Sequence, residues 1–326
     1  MRAVVTDVTA APKGINLVRE PVTTLPSTGG DTPKHDATVR LTWRVENPDS
    51  DALRYRVAFQ RDGQTLWRDL LQKYKAMGLN AVSLYFAWGY HSAQPGHYDF
   101  TGVRNLERLL QMASDEGLYV IVRPGPYVNA ELSMGGFPGW LARQRAEART
   151  DAAEYQAAAA EWLTQVNAII ARYQLTTGGG TVIAYQLENE LFSVQPKNAR
   201  HMQFLADQAR ADGITVPLFH NAASRLPDWT PKNSSAPFAN PGPTDLYAFD
   251  GYPGGVCDVF AQAGTPSVAP DWGIYGKNLP KVGSLASPHT PGFGAEIGAG
   301  WFDYWGSNGT YACTAQRQGI GYQKLF

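Results

Sequence analysis

The residues best placed to do chemistry are Glu188 and Glu190, which flank Asn189 in the segment QLENE. They follow a short apolar run, residues 182–185, which a triplet of glycines precedes. Such a run is typical of a buried parallel strand, and α/β enzymes keep their reactive groups at the carboxyl ends of these strands. Strand alternation places both carboxylates on one side and the amide on the other. A solvated acidic turn before the next helix is the alternative.

Strand and helix patterns alternate from Thr65 onwards. The apolar segments that indicate strands begin near Ala81, Leu118, Val182, Val216, Leu246 and Phe293. Apolar residues at helical spacing lie between several of them, and Gly78, Gly117 and Gly213 end three of the helices. Strand–helix units with short connections predict a parallel sheet, either the wall of a (β/α)8 barrel or a doubly wound open sheet. No G-x-G-x-x-G segment follows these strands, which disfavours a dinucleotide site.

Residues 1–62 follow a different pattern and are predicted to form an extension to the sheet domain, residues 63–326. Residues 1–34 are rich in Thr, Pro and Gly without a sustained period, which is typical of irregular chain. Apolar and polar residues then alternate on both sides of a turn at residues 47–50. This alternation predicts a β-hairpin over residues 38–60.

Composition and sequence motifs argue against nucleic acid, a membrane span, a signal peptide and a metal site. The net charge of −1 provides no basic footprint for nucleic acid. No apolar run reaches the length of a membrane span, and residues 1–14 lack the apolar core of a signal peptide. The sequence contains no Cys/His cluster and no H-E-x-x-H segment, so neither a metal nor another cofactor is expected.

In a barrel, the residues that follow the strands meet at one mouth. These residues are carboxylates, amides, an arginine and aromatic rings: Tyr85, Trp88, Arg123, Tyr127, Asn129, Glu131, Glu188, Asn189, Glu190, Asn221, Asp250, Tyr252, Glu296 and Trp301. Amides and carboxylates bind hydroxyl groups and rings cover C–H faces, so the set suits a sugar. Cleavage of a glycoside needs one protonated and one ionised carboxyl group, and the chain offers candidates for both.

Several segments carry a resemblance to a known family: residues 66–88, 123–141, 178–191 and 245–253. In the second, RPGPY is followed by NAE and GGFPGWL. From about residue 66 to residue 326 the chain resembles family 35 of the glycoside hydrolases, the retaining β-galactosidases of the (β/α)8 clan A. The resemblance implies hydrolysis of terminal non-reducing β-D-galactosyl residues with retention, through a covalent galactosyl-enzyme.

The resemblance also implies roles for single residues. Glu190 matches the acid/base and Glu296 the nucleophile. The positions that match galactose-binding residues are Tyr85, Asn129, Ala130, Glu131, Asn189 and Tyr252. Since Glu190 must hold a proton when substrate binds, its pKa should be raised by burial and by the charge of Glu296. Glu188 is the weaker catalytic candidate and is expected to support the site through hydrogen bonds.

The chain departs from the family pattern at both ends of the barrel. Residues 53–60 stand where the usual first strand is expected, and no eighth strand follows Glu296. We therefore predict an incomplete barrel of about seven strands at most, truncated after the nucleophile strand. Two other functions stay open: a non-catalytic galactoside-binding or inactive fragment, and a retaining clan relative that acts on another β-glycoside.

The chain has two cysteines, Cys257 and Cys313. Both stand where fungal-type members of the family place a disulfide between two loops, and that resemblance implies an oxidising, extracellular compartment. Two free thiols are the alternative, because two cysteines alone favour neither state. The partner implied is a β-galactoside substrate, without nucleic acid or membrane, and the sequence does not indicate an oligomeric state.

Overall fold

The computed structural model describes most residues between 63 and 251, together with shorter stretches on either side. The described residues are 2–9, 16–17, 45–46, 54–60, 63–192, 194–222, 228–235, 239–251 and 293–297. The chain divides into two compact units, Met1–Leu70 and Leu71–Phe326. The domain boundary after residue 62 stays a prediction.

The first unit contains short antiparallel strands. They are β1 (Arg2–Thr9), β2 (Asn16–Leu17), β3 (Val45–Glu46) and β4 (Arg54–Gln60). β1 pairs with β4, and β2 pairs with β3. β1 lies in the part of the chain that was predicted to be irregular, and its pairing with β4 does not test the predicted hairpin. The ladder shifts register between Val5 and Asp7, which breaks the alternation that marks a strand in sequence. Residues 38–44 and 47–53 of the predicted hairpin lie outside the described residues, so the hairpin stays a prediction.

The second unit is built around a parallel sheet. Its strands in chain order are β5 (Ala81–Tyr85), β6 (Tyr119–Arg123), β7 (Val182–Gln186), β8 (Leu218–Ala222), β9 (Asp228–Thr230), β10 (Asn240–Pro241), β11 (Leu246–Gly251) and β12 (Phe293–Ile297). Six of them lie side by side in the order β5-β6-β7-β8-β11-β12, and β9 pairs with β10 separately. Every neighbouring pair in the six-stranded sheet is parallel. These are the six strands that the sequence predicts.

The described helices lie before β5 and in the connections from β5 to β8. They are α1 (Gly63–Ala76), α2 (Trp88–His91), α3 (Leu106–Asp115), α4 (Ala153–Ile170) and α5 (Pro196–Ala211). The side chain of Asn105 caps α3 by accepting a hydrogen bond from the backbone N–H of Arg108 at 2.9 Å. Trp162, Val166 and Ile170 form the buried stripe of α4. None of the described helices is both long and apolar enough to cross a membrane.

The sheet is strongly curved, which distinguishes a barrel wall from a doubly wound open sheet. A flat sheet would separate β5 from β12 by roughly 24 Å, five times the usual spacing between strands. Yet the phenol of Tyr85, at the end of β5, lies 2.7 Å from a carboxylate oxygen of Glu296 on β12. The fold is therefore an α/β, (β/α)8-type barrel, and it is incomplete over the described residues.

The two outer strands of the described sheet are relevant to the prediction that the barrel has seven strands at most. β5 and β12 each have a single neighbour among the described strands. β4, which covers the predicted first-strand segment, pairs with β1 in a separate sheet. The residues after Ile297 lie outside the described part of the chain.

The inner face of the sheet is arranged in an apolar layer and a polar layer. The apolar layer contains Ile121, Ala184, Phe219 and Ala248, one from each of four successive strands. The residue two positions later on each of these strands is polar: Arg123, Gln186, Asn221 and Asp250. Because side chains two apart point to the same face, the apolar layer supports the polar layer from below. Small alanines beside Phe219 leave room for its ring, which meets Phe293 edge-on at 5.1 Å.

Candidate active site

The carboxylate of Glu296 lies where three donors converge. Its Oε1 accepts a hydrogen bond from Tyr85 Oη at 2.7 Å, another from Asn221 Nδ2 at 3.2 Å, and a third from Arg123 Nη2. The donors come from the ends of β5, β8 and β6, so three strands of the wall position one carboxylate. Donors and a guanidinium beside a carboxylate stabilise its ionised form. The arrangement suits a carboxylate that must stay charged and keep one orientation.

Glu190 is held differently. Its backbone has φ 43°, a left-handed conformation, and its N–H donates to Asn221 Oδ1 at 3.1 Å. The side chain is half-buried. Burial and the negative charge of Glu296 raise the pKa of Glu190 above its usual range, which are the two causes that the sequence analysis predicts. Glu190 and Glu296 are therefore close enough to influence each other's charge.

Glu188 is fully buried in a charged cluster. Arg149 donates to both of its oxygens, from Nε at 2.9 Å and from Nη2 at 2.6 Å, and His201 Nε2 lies 3.8 Å away. Glu188 in turn accepts from the backbone N–H of Asn189 at 2.8 Å. Burial opposes its ionisation, but Arg149 and His201 outweigh that effect and lower its pKa to about 2. Glu188 is thus charged at neutral pH, and it supports the site through hydrogen bonds, as the sequence analysis expects.

Two side-chain amides connect these carboxylates. Asn189 Oδ1 accepts from Arg123 Nη2 at 2.9 Å, from Asn221 Nδ2 at 3.1 Å and from Gln186 Nε2 at 3.4 Å. Asn221 also accepts from Gln186 Nε2 at 2.8 Å through its own Oδ1. With its oxygen fully used, Asn189 can offer a ligand only its Nδ2 donor.

The predicted sugar-binding segment after β6 is a left-handed turn. Asn129, Ala130 and Glu131 have φ of 51°, 49° and 52°, which is unusual for residues other than glycine. Tyr127 Oη donates to Asn129 Oδ1 at 3.4 Å, and the Arg149 guanidinium lies 3.9 Å from the centre of the Tyr127 ring. The turn is therefore connected through Tyr127 and Arg149 to the cluster around Glu188.

The structure brings four of the predicted site residues together. Tyr85, Asn189, Glu190 and Glu296 share one hydrogen-bonded and electrostatically coupled network. Tyr85 joins it through its hydrogen bond to Glu296 and through the Arg123 guanidinium, which lies 4.1 Å from the centre of its ring. Glu131 is exposed, and Asn129 and Ala130 are partly exposed. The predicted residues that lie outside the described part of the chain are Tyr252, Cys257, Trp301 and Cys313.

Sequence reasoning missed three contributors to the site. Arg149 lies before α4, His201 lies within α5, and neither follows a strand. Gln186 ends β7, two residues before Glu188. The sequence analysis does not include its amide in the network. Gln186 could have been found because it is a polar residue at the end of a predicted strand. No sequence pattern around Arg149 or His201 indicates that they belong to the site. Over the described residues, no group of His, Cys, Asp and Glu is arranged to hold a metal ion.

Comparison with known proteins places the chain in a family. A sequence profile of Glycosyl hydrolases family 35 matches residues 54–325. The chain is 38% identical over 260 residues to the probable beta-galactosidase A of Aspergillus phoenicis, and 41% identical over 260 residues to that of Neosartorya fischeri. These alignments cover 78% and 77% of this chain but 24% of each relative. The chain spans about a quarter of the length of the curated relatives it matches.

A solved structure supports the fold. The exo-beta-1,4-mannosidase Op5Man5 from Opitutaceae bacterium strain TAV5 is similar with a TM-score of 0.52 and 18% sequence identity, over 71% of this chain and 41% of that chain. At this identity the likeness concerns the fold alone. The profile match covers most of the sequence, including both glutamates of the polar network. The chain belongs to the glycosyl hydrolases of family 35.

Proposed function

We propose that this protein is a β-galactosidase that hydrolyses terminal non-reducing β-D-galactosyl residues with retention. The observation that carries the proposal is the division between two coupled carboxyl groups. Three donors hold Glu296 in its ionised form, while burial and the charge of Glu296 raise the pKa of Glu190. A retaining glycosidase needs this division between an attacking carboxylate and a proton donor.

In the first step, the Glu296 carboxylate attacks the anomeric carbon, and Glu190 gives its proton to the departing glycosidic oxygen. The carbon–oxygen bond to the leaving group breaks as the galactosyl–Glu296 ester forms. Tyr85, Asn221 and Arg123 orient the attacking carboxylate through their hydrogen bonds to Oε1, and these bonds weaken as the charge of the carboxylate is neutralised. Esterification removes the negative charge that raised the pKa of Glu190, so Glu190 becomes a suitable base.

In the second step, Glu190 takes a proton from water, whose oxygen attacks the anomeric carbon and breaks the ester. Galactose leaves with the configuration of the substrate, because two displacements have occurred. Glu190 is protonated again and Glu296 is again a carboxylate. No cofactor enters this sequence.

Galactose recognition is the finer part of the proposal. We assign it to Asn189, whose Nδ2 donor suits the 2-hydroxyl group, and to the turn Asn129, Ala130 and Glu131, whose strained backbone holds polar groups on a partly exposed loop. Tyr85 and Tyr252 complete the set by resemblance to the family. The support for galactose is that the similar proteins of Aspergillus phoenicis and Neosartorya fischeri are named beta-galactosidases.

The test compares the purified chain on nitrophenyl β-galactoside and nitrophenyl β-glucoside. Preferential release from the galactoside is the expected result. Preference for the glucoside would point to a clan relative with another sugar, and no hydrolysis by folded protein would point to a binding or inactive fragment. Both of these outcomes overturn the proposal.

Azide separates the two glutamates. Azide should restore turnover of an activated galactoside by Glu296→Ala as α-galactosyl azide, because it attacks where the nucleophile is missing. With Glu190→Ala it should produce the β-anomer, because it replaces the water that attacks the ester. The opposite anomers would exchange the two roles.

A further inference from the structure

Asp250 is a third carboxyl group at the site, and neither the family resemblance nor the proposed mechanism uses it. It lies at the end of β11, and its Cα is paired with that of Glu296 in the β11–β12 ladder. Its side chain is buried, with 2% of its surface exposed. A buried acid beside two others is costly unless a proton or a cation compensates its charge.

The two oxygens of Asp250 have different surroundings. Oδ2 accepts a hydrogen bond from Asn221 Nδ2 at 2.7 Å. Oδ1 is buried and receives no hydrogen bond from an N–H or O–H group of the described residues. The Asp250 and Glu190 side chains are nevertheless close enough to hydrogen-bond with each other. Two carboxylates are acceptors only, so a hydrogen bond between them requires a proton on one of the two.

The charges that face Asp250 decide whether it carries a proton when Glu190 is ionised. Glu296 on β12 is a negative neighbour, and Glu190 after β7 becomes one when it loses its proton. Arg123 on β6 is the cation, and Tyr85 on β5 adds an uncharged phenol. When Glu190 is ionised, burial, followed by the charges of Glu296 and Glu190, raises the pKa of Asp250 to about 8, and Asn221 and Arg123 only partly oppose this. Asp250 therefore keeps a proton at neutral pH, and Oδ1 is the oxygen free to carry it.

We propose that Asp250 is a positioning residue: a neutral carboxylic acid whose Oδ1–H donates a hydrogen bond to the carboxylate that Glu190 becomes during catalysis. This inference rests on the proposed function of Glu190 as the acid/base. When Glu190 gives its proton to the glycosidic oxygen, its new negative charge receives the hydrogen bond from Asp250. The Asp250 proton stays on Asp250, and it stabilises the charge without being consumed.

The proposal predicts that an asparagine can replace Asp250. In Asp250→Asn the amide oxygen can accept from Asn221 as Oδ2 does, and the Nδ2 donor stands where the Oδ1–H was. Because the carboxylic acid is neutral, this change leaves the charge of the site unaltered at neutral pH. In Asp250→Ala the donor is lost, the Glu190 carboxylate becomes less stable, and the pKa of Glu190 rises.

The pH dependence of kcat/KM for the aryl galactoside distinguishes these variants. We expect Asp250→Ala to lose at least about tenfold in kcat/KM, the size of a hydrogen bond to a charged group, with its alkaline limb moved to higher pH. Asp250→Asn should restore most of that loss, with an alkaline limb close to that of the unsubstituted protein. If Asp250 were ionised, Asp250→Asn would remove a negative charge and move the limb to lower pH, and this result would overturn the proposal.

A second measurement does not depend on turnover. In protein labelled with ¹³C at the aspartate carboxyl groups, the resonance that disappears in Asp250→Asn belongs to Asp250. We expect it at the position of a neutral acid at pH 7, with a titration midpoint near 8. A midpoint in the usual acidic range of aspartate, at about 4, refutes the inference even in a chain that hydrolyses no galactoside. Inactivity with the expected midpoint would instead count against the proposed function alone.

Discussion

Glu188 and Glu190 show how position sets the chemistry of identical side chains only two residues apart. Both have left-handed backbone, with φ of 59° and 43°. Glu188 is the more deeply buried of the two, yet the two hydrogen bonds from the Arg149 guanidinium keep it ionised with a pKa of about 2. Glu190 faces Glu296 instead of a cation of its own, and its pKa is raised. The contacting charges, and not burial alone, therefore divide the two glutamates into a support and a proton donor.

Replacement of Arg149 should destabilise the fold. Arg149→Met leaves the buried Glu188 carboxylate without its cation, and we expect a loss of about 3–5 kcal/mol in the free energy of unfolding. Urea unfolding at neutral pH measures it. Arg172→Met is a matched control, because Arg172 pairs with Glu107 at 2.8 Å on the surface, with 55% and 46% of the two side chains exposed. That exposed pair should contribute about 0–1 kcal/mol. Equal effects of the two changes would contradict the assigned role.

The same pair makes stability depend on pH. The folded-state pKa of Glu188 is lowered from 4.5 to about 2, so its contribution is present above 4.5 and is lost as the pH falls towards 2. Arg149→Met should abolish or reverse this dependence, because a buried carboxyl without a cation binds its proton more readily. Unfolding measured along an acidic pH series checks this outcome, and an unchanged slope would count against it.

Among the elements, the loop after β6 depends on one glycine to hold the Tyr127 ring. Gly135 has φ +63°, and a Cβ built there would lie 1.9 Å from Cε2 of Tyr127. The ring therefore occupies space that any other residue at position 135 would fill. The ring in turn carries the Arg149 guanidinium on its face and the hydrogen bond to Asn129. A change in this loop should reach both the charged cluster and the sugar-binding turn.

Gly135→Ala tests that dependence. We expect a loss of about 1–3 kcal/mol in stability from overpacking and left-handed strain, together with a higher KM for the galactoside as the turn shifts. Thermal unfolding and steady-state kinetics measure the two effects. Gly139→Ala is the control, because a Cβ there meets no heavy atom within 4 Å. An unshifted KM in a destabilised Gly135→Ala protein would restrict the glycine to a packing role.

At the level of the whole molecule, the curvature of the sheet assembles the site. β5 and β12 are the outer strands of the described order, yet Tyr85 and Glu296 bond directly. The network also uses β6, β7, β8 and β11, so every strand of the six contributes a polar group. Uncurling the sheet would separate the donors from Glu296 while leaving the local strand pairs intact. The site is thus a property of the barrel wall rather than of any single loop.

The two cysteines lead to a prediction about covalent bonding within the chain. We propose that Cys257 and Cys313 form a disulfide and that the protein works in an oxidising, extracellular compartment, on the basis of the family resemblance. Alkylation of unreduced, unfolded protein should add no mass, whereas prior reduction should add two alkyl groups. The Cys257→Ser variant should show one alkylated thiol without reduction, which controls for reagent access. Two reactive thiols in the unreduced protein would reject the bridge.

Sequence pattern determined much of the second unit, because periodicity reports local burial. The six strands, the helices between them and the polar residues at the strand ends all follow from apolar runs, glycine stops and alternation. The motif around Asn189 also indicated both carboxylates, and Glu188 was recognised as a support. These properties depend on neighbours along the chain, which a sequence displays directly.

Tertiary structure alone decided which groups meet. The pairing of β4 with β1 joins two segments whose residue patterns do not identify them as partners. Arg149 and His201 reach Glu188 from segments that bear no motif, and Asp250 meets Glu190 only because β11 lies two strands from β7. The interaction energy of two charges depends on their distance in space and not on their separation in sequence. For that reason the raised pKa of Glu190 could be expected from the family resemblance, whereas the charge states of Glu188 and Asp250 follow only from the folded arrangement.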